Sequence, residues 1–168
     1  MTPPTRNRPP TLVVIAAAIL FILLAVLEVM AGEPTSPASA LMDEALARGD
    51  IGAAERHWHD AYRVALGSRR WEGMIEVGDG ARRIGEVTGA RATANTRARQ
   101  AYLTALLRAR QQKSLDGVLR TAEAFSGLGD RQVVAQCLRI AEHLAAEARD
   151  AQARERVSAL SERLATNH

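Results

Sequence analysis

Residues 71–86, WEGMIEVGDGARRIGE, and residues 115–130, LDGVLRTAEAFSGLGD, are two versions of one pattern. At an offset of 44 residues they place apolar side chains at spacings of 0, 3, 4, 10 and 13, which follow one face of an α-helix. Glycines also recur at matched positions, and the last glycine of each version precedes an acid. The repetition therefore predicts two equivalent helices. The matched apolar pairs are Trp71/Leu115, Met74/Val118, Ile75/Leu119, Ala81/Phe125 and Ile84/Leu128.

The composition around these stretches indicates an all-α protein. The chain has 168 residues, of which 47% are hydrophobic but 4% aromatic, and 32 are alanine. Alanine is the best helix former, whereas strands favour β-branched and aromatic residues, so a β-sandwich or barrel is disfavoured. The net charge of +3 is a mild excess, and a single cysteine excludes an intrachain disulfide framework.

Turn signals divide the chain after its first 35 residues into seven predicted helices. Glycine followed by an acid, as at Gly49-Asp50, ends one helix and caps the next. Gly85-Glu86 predicts a similar stop, followed by a longer loop that contains Gly89. Short connections make neighbouring helices antiparallel. The predicted helices lie near residues 37–48, 51–67, 71–84, 90–112, 115–127, 131–148 and 151–165.

A second match follows a different offset. Residues 61–66 and 101–106 share the pattern Ala-Tyr-x-x-Ala-Leu at a distance of 40 residues. Four extra residues near 108–111, about one helical turn, would reconcile the two offsets. The repeat is therefore predicted to vary in length by one turn.

The small residues of alternate helices resemble the tetratricopeptide repeat. In that family the second helix of each hairpin carries alanine, a large residue four positions later, and alanine again three positions after that. Two features depart from the family, because the proline that often ends a unit is absent and the repeat length varies. A non-repetitive, alanine-rich helical bundle is the alternative. The matching trios are Ala54, Trp58 and Ala61; Ala98, Tyr102 and Ala105; and Val134, Leu138 and Ala141.

The resemblance implies an all-α, TPR-like α-solenoid over residues 40–168, with about three hairpins and a polar capping helix at 151–165. The apolar run near the N-terminus predicts a single hydrophobic helix that precedes this solenoid. In tetratricopeptide proteins the first helices of the hairpins line a concave groove, and the second helices form the convex back. The corresponding groove would be mixed in charge, leaning acidic, and suited to an extended or helical peptide with basic residues. Its residues would be Asp43, Glu72, Asp79, Arg82, Arg83, Asp116, Leu119 and Glu123.

The N-terminal residues predict export. Residues 12–27 are sixteen apolar residues without a break, and the largely apolar stretch 12–32 is long enough to cross the roughly 30 Å hydrocarbon core as a helix. Arg6 and Arg8 precede it. The positive-inside rule therefore keeps residues 1–11 in the cytoplasm and exports everything that follows.

Two interpretations of this segment remain open. It stays as a single-pass anchor in the inner membrane, with the helical domain on the periplasmic side, or it is a signal peptide removed after Ala31 or Ala40. Residues 33–39, EPTSPAS, are predicted to be a linker because they hold Pro, Ser and Thr without apolar periodicity. Either way, the domain is expected outside the cytoplasm.

The sequence carries no pattern that indicates catalysis. His57 and His59 are two residues apart on a helix and point away from each other, so they cannot share a metal ion. Trp58 and Trp71 are most simply core residues, and Cys137, on an apolar stripe, is expected to be a buried structural thiol. A nucleophile elbow, a phosphate-binding loop and a dinucleotide fingerprint are absent from the sequence. We therefore expect no enzyme activity, no metal and no cofactor.

The fourth predicted helix is basic, because no acid occurs between Glu86 and Asp116. One interpretation pairs its bases with acids of the adjacent third helix, and another presents them to anionic lipid head groups or to an acidic partner. Nucleic acid is not expected, because the domain is predicted to be exported and the basic run holds one aromatic residue. The residues of this basic face are Arg91, Arg97, Arg99, Arg108, Arg110 and Lys113.

Together these observations predict a membrane-tethered, exported module that binds a protein or peptide partner as a scaffold or assembly factor of a bacterial envelope. Two alternatives stay open. One is a soluble periplasmic accessory domain of an envelope enzyme or transporter, released by cleavage. The other is a structural protein that associates with itself.

Overall fold

The computed structural model describes residues 36–166, and every regular element in that range is an α-helix. The number and order of the helices agree with the sequence prediction, so the all-α fold is confirmed. Loops of two to four residues join them. The helices are α1 (Pro37–Ala47), α2 (Ile51–Ser68), α3 (Glu72–Thr88), α4 (Arg91–Gln111), α5 (Leu115–Ser126), α6 (Arg131–Ala148) and α7 (Ala151–Thr166).

Side-chain caps begin several of these helices at polar residues, among them α2 and α5. Asp50 accepts a hydrogen bond from the backbone N–H of Ala53 at 2.8 Å, and Ser114 accepts one from Gly117 at 3.1 Å. Each bond satisfies an N–H that has no partner within the first turn of its helix. The predicted stop at Gly49 before the Asp50 cap is confirmed, since Gly49 follows the end of α1 with a φ of 73°.

The predicted end of the third helix at Gly85-Glu86 is wrong. Helix α3 continues to Thr88, and Gly89, with a φ of 75°, makes the left-handed turn into α4. Gly85 instead lies at a close approach of α3 and α4, because a Cβ built on it would overlap the Cβ of Ala94. Its small size permits this close packing of α3 against α4. Because α3 continues to Thr88, the longer loop that the sequence suggested does not form.

Helices α1, α3, α5 and α7 form one layer, which we call the front layer. The backbone N–H of Ser36 donates to the Glu76 carboxylate at 3.1 Å, and Arg83 Nε donates to Asp43 at 2.9 Å. Early residues of α1 thus meet early residues of α3, and late residues meet late ones. The two helices therefore run parallel, and each is antiparallel to the helix that follows it in the chain.

Helices α2, α4 and α6 form the second, back layer. Arg97 of α4 contacts Glu55 of α2 at 2.9 Å, and Arg108 donates to the carbonyl of Leu66 at 3.0 Å near the other end of the same pair. Helices α2 and α4 are therefore also parallel. Residues 37–148 thus form three successive helical hairpins, each contributing one helix to each layer, and α7 adds a fourth helix to the front layer.

Small residues close the seams between the layers. Gly73 of α3 faces Ala65 of α2, and Gly117 of α5 faces Ala109 of α4; an added Cβ would lie 3.2 and 2.7 Å from the respective alanine Cβ. The two glycines are 44 residues apart, and so are the two alanines that they face. Residues 71–86 and 115–130 therefore begin in equivalent surroundings.

Two large side chains fill the spaces that the small residues leave. Trp58 is buried, and its indole N–H donates to the carbonyl of Val77 at 2.8 Å. Tyr102 is completely buried, with its ring against Gly78 and edge-on to Phe125 at 5.7 Å between ring centres. The prediction that Trp58 belongs to the core is confirmed, and Trp71 likewise packs, partly buried, against Gly117.

The match between residues 61–66 and 101–106 does not reflect structural equivalence. Leu66 is 44% exposed whereas Leu106 is 6% exposed, so the paired positions face different surroundings. Helices α2 and α4 correspond at an offset of 44 residues instead, and an insertion near 108–111 is not needed. The variation in repeat length instead comes from the front layer, in which α3 has 17 residues and α5 has 12.

The predicted tail at 1–11, the span at 12–32 and residues 33–35 of the predicted linker at 33–39 lie outside the described residues. Residues 37–39 of that linker belong to α1, so the helical domain begins before residue 40. Between residues 36 and 166, no helix is both long enough and apolar enough to cross a membrane.

Candidate protein-binding surfaces

A ladder of acid–arginine pairs crosses the outer side of the front layer. An acid on α1, α3 and α5 pairs in each case with an arginine on the next helix of the same layer. The first two pairs have N–O distances of 2.9 and 3.1 Å. Each pair joins two successive hairpins. The pairs of the ladder are Asp43–Arg83, Asp79–Arg120 and Glu123–Arg163.

Asp79 also binds a residue of the back layer. The hydroxyl of Tyr102 reaches between the layers and donates to Asp79 at 2.5 Å, while Arg120 contacts the second carboxylate oxygen. Burial and the neighbouring Asp79 carboxylate raise the pKa of Tyr102 well above its ordinary value, so the hydroxyl keeps its proton. Half-buried Arg82 lies close by, against the backbone of Gly127. This part of the predicted groove therefore joins both layers.

The remaining residues of the predicted groove divide between surface and core. Glu72 binds Arg70 at 2.8 Å, and the hydrogen bond from that guanidinium lowers the pKa of the Glu72 carboxyl. Asp116 pairs with Arg156 of α7. Leu119 is 8% exposed, and so it belongs to the core and cannot line an open groove.

All five acids of the predicted groove are therefore paired with arginines. Arg120, Arg156 and Arg163 complete this arrangement, and sequence reasoning missed them as partners. An arginine 40 or 41 residues after an acid was the available signal. The pairing balances the charge of this face, which sequence alone suggested to lean acidic. The groove acids Glu72 and Asp79 are also half-buried.

Most bases of α4 contact the two neighbouring helices of the back layer. Arg97 pairs with Glu55 and lies 5.1 Å from the ring centre of Trp58. Arg99 pairs with Asp130, the residue before α6, at 2.7 Å. The sequence correctly indicated internal pairing as one alternative, but it assigned the wrong partner, because these contacts go to α2 and α6 rather than to α3.

Arg108 caps the end of a helix rather than pairing with an acid. Its guanidinium donates to the carbonyls of Ala65 at 2.7 Å, Arg70 at 2.9 Å and Leu66 at 3.0 Å. The last carbonyls of a helix have no partner within it and carry partial negative charge, which a guanidinium neutralises. Arg108 therefore fastens the end of α2 to α4.

A second surface lies between α4 and α6, where the back layer opens into a trough of about 480 Å³. Lys113 Nζ lies 3.5 Å from the Glu147 carboxylate, and His143 Nε2 lies 3.3 Å from the other oxygen of the same group. Between residues 36 and 166, Arg110 and Arg139 form no ion pair. We call this site the basic trough. It is lined by Arg110, Lys113, Gln136, Arg139, Ile140, His143, Leu144 and Glu147.

Sequence reasoning found the α4 side of the basic trough and missed the α6 side. Arg91 is an exposed member of the predicted basic face and lies in the first turn of α4, remote in sequence from the trough residues. Arg139 and His143 are one helical turn apart on α6, and that spacing was the signal available.

The titratable side chains outside these surfaces offer little chemistry. Cys137 is completely buried, and burial raises the pKa of its thiol to about 12, as expected for an inert structural cysteine. Among residues 36–166, no group of three or more His, Cys, Asp or Glu side chains is placed to hold a metal ion. Comparisons of the chain with protein-family models, with curated proteins and with solved structures found no match.

Proposed function

We propose that this chain is an exported, membrane-tethered protein whose tetratricopeptide-like helical domain binds another protein and performs no chemistry itself. The observation that carries the proposal is the repetition of the same contacts from one hairpin to the next. The ladder joins successive helices of the front layer, and the Gly73–Ala65 seam recurs as Gly117–Ala109. Such stacking produces long surfaces that repeat proteins use for recognition.

The large residues of the back layer support the tetratricopeptide-like interpretation. Trp58 and Tyr102 are 44 residues apart, and each is a buried ring of a second helix that packs against the helix that follows it. Trp58 contacts Val77 and Gly80 of α3, and Tyr102 contacts Phe125 of α5. Alanines flank both positions and bring the helices together. An irregular bundle of alanine-rich helices has no reason to repeat this arrangement.

The tether is inferred from the sequence of the N-terminal segment. Residues 12–27 are continuously apolar and follow two arginines, and the described domain begins a few residues after residue 32. We propose retention in the inner membrane, with the domain on the periplasmic side. Cleavage to a soluble periplasmic accessory domain is the principal alternative, and self-association into a structural assembly is the other.

Membrane fractionation tests the tether. Full-length protein, tagged at its C-terminus, should stay with the membrane after washing with carbonate or high salt. A shortened, soluble product would contradict tethering, and sequencing the mature N-terminus would then locate cleavage after Ala31 or Ala40.

Co-purification tests the binding function. The full-length chain, cross-linked in membranes and then solubilised, should retain a distinct partner at a reproducible ratio. Reversing ladder charges on the front face, for example Arg83→Glu, should weaken that retention if the front face is the contact. Light scattering that reports a defined oligomer without any partner would favour self-association instead.

A further inference from the structure

We infer that the basic trough between α4 and α6 is the docking site for an acidic amphipathic helix of the partner protein. This inference rests on the proposed protein-binding function and adds the surface and the chemistry of the partner to it. Three observations support it: the shape of the trough, its excess of positive charge, and its apolar floor.

The shape of the trough suits a helix. Helices α4 and α6 run parallel, since Arg99 in the middle of α4 meets Asp130 just before α6, and Lys113 just after α4 meets Glu147 near the end of α6. Two parallel helices leave a long depression between them, into which the ridge of a third helix fits. A flat bilayer surface would bridge over such a depression without entering it.

The charge of the trough favours an acidic occupant. Arg110, Lys113 and Arg139 face one carboxylate, Glu147, and that carboxylate is already shared between Lys113 and His143. The corresponding interval between α2 and α4 differs, because internal contacts of α4 bases occupy it. An acidic segment would therefore find unneutralised cations between α4 and α6.

Apolar side chains complete the site. Ile140 and Leu144 are half-buried in the floor, one helical turn apart on α6. On α4, Leu103 is 47% exposed and Leu107 is 53% exposed, and Leu103 lies on the same stripe as Arg110, seven residues earlier. Leucines flanked by cations match a helix whose leucines are flanked by glutamates.

The test is a selection from a helical peptide library with the full-length chain in nanodiscs as bait. Each peptide has about 16 residues, with leucines at helical spacing and Glu, Gln, Lys or Ala at every flanking position. We expect the retained peptides to be enriched in Glu over Lys. Their affinity should fall about tenfold or more when Arg110→Glu and Arg139→Glu are combined, and it should weaken with added salt.

Matched charge reversals on the same two helices provide the control. Arg91→Glu and Arg131→Glu change the charge equally but lie in the first turns of α4 and α6, away from the trough, and they should leave the affinity unchanged. Circular dichroism should confirm that both double variants are folded. If the trough variant is not folded, Arg110→Gln with Arg139→Gln replaces it.

The outcomes separate this inference from the proposed function. Peptides without an excess of Glu, or with the same affinity for the trough variant, would overturn the inference. If Arg83→Glu weakens the affinity of those peptides instead, the protein-binding function stands, with the front layer as the binding surface. Binding of vesicles of anionic phosphatidylglycerol that the trough variant abolishes, without selection of acidic peptides, would overturn the inference in favour of lipid. If no peptide is retained and membranes yield no partner, both proposals fail.

Discussion

Gly78→Ala should destabilise the domain, although alanine is normally preferred in a helix. The Cβ that alanine adds would lie 2.6 Å from Cδ1 and 2.9 Å from Cζ of Tyr102, and closer still to Cε1. Tyr102 cannot move away easily, because it is completely buried and its hydroxyl is held by Asp79. The methyl group therefore strikes a ring that has no free space behind it.

The expected magnitude follows from two opposing effects. Overpacking a well-packed core costs about 1–3 kcal/mol, and overlap with several ring atoms belongs at the upper end of that range. Replacing glycine by alanine inside a helix recovers about 1 kcal/mol. The net loss should be about 2 kcal/mol, which lowers the melting temperature of a domain of this size by about 8 °C. Thermal unfolding of the full chain in detergent, followed by circular dichroism, measures it.

Gly67→Ala is the matched control, because nothing lies within 4 Å of a Cβ at this position in the last turn of α2. It should leave the melting temperature unchanged or raise it slightly. In a Tyr102→Leu background the ring is replaced by a smaller side chain. Gly78→Ala should then lower the free energy of unfolding by less than about 1 kcal/mol. Equal effects of Gly78→Ala and Gly67→Ala would refute the proposed contact between Gly78 and Tyr102.

Three further predictions concern the core. Ala61→Leu and Ala101→Leu, at buried seam positions, should each cost about 1–3 kcal/mol in urea unfolding, and unchanged midpoints would contradict close packing there. Alkaline pH should destabilise the domain, because burial raises the pKa of Cys137 from 9.0 to about 12 and also raises that of Tyr102. The stability gained from holding these protons is complete below about pH 9 and is lost as the pH rises toward 12, so Cys137→Ala with Tyr102→Phe should flatten the decline. The Cys137 thiol should react with a disulfide reagent in urea but hardly at all in the native state at pH 8, and rapid native labelling would disprove its burial.

Local patterns were sufficient to predict the helices of the domain. The apolar spacings in residues 71–86 and 115–130 identified one buried face for each helix, and the Gly49-Asp50 turn identified a boundary. These features act between residues a few positions apart, so a single helix or turn already expresses them. The burial of Trp58 followed for the same reason, since its stripe of alanines was visible in the sequence.

The N-terminal span and the identity of a partner stay predictions, because they concern residues and molecules outside the described domain. Within the domain, two nearly identical signals had different outcomes. Gly49-Asp50 ended a helix, whereas Gly85-Glu86 remained inside one. The difference arises from Ala94, which packs against Gly85 from the opposite helix and is not its neighbour in sequence.

The partners of the charged residues were decided by the tertiary structure. Composition showed that α4 is basic, but the parallel arrangement of alternate helices brought Arg97 to Glu55 and left Arg110 and Arg139 facing the trough. An exposed ion pair contributes little by itself, so charge pattern alone cannot select one partner among several. Periodicity along the chain sets which face of each helix is buried, whereas the way the hairpins stack sets which surfaces meet and which charges remain free.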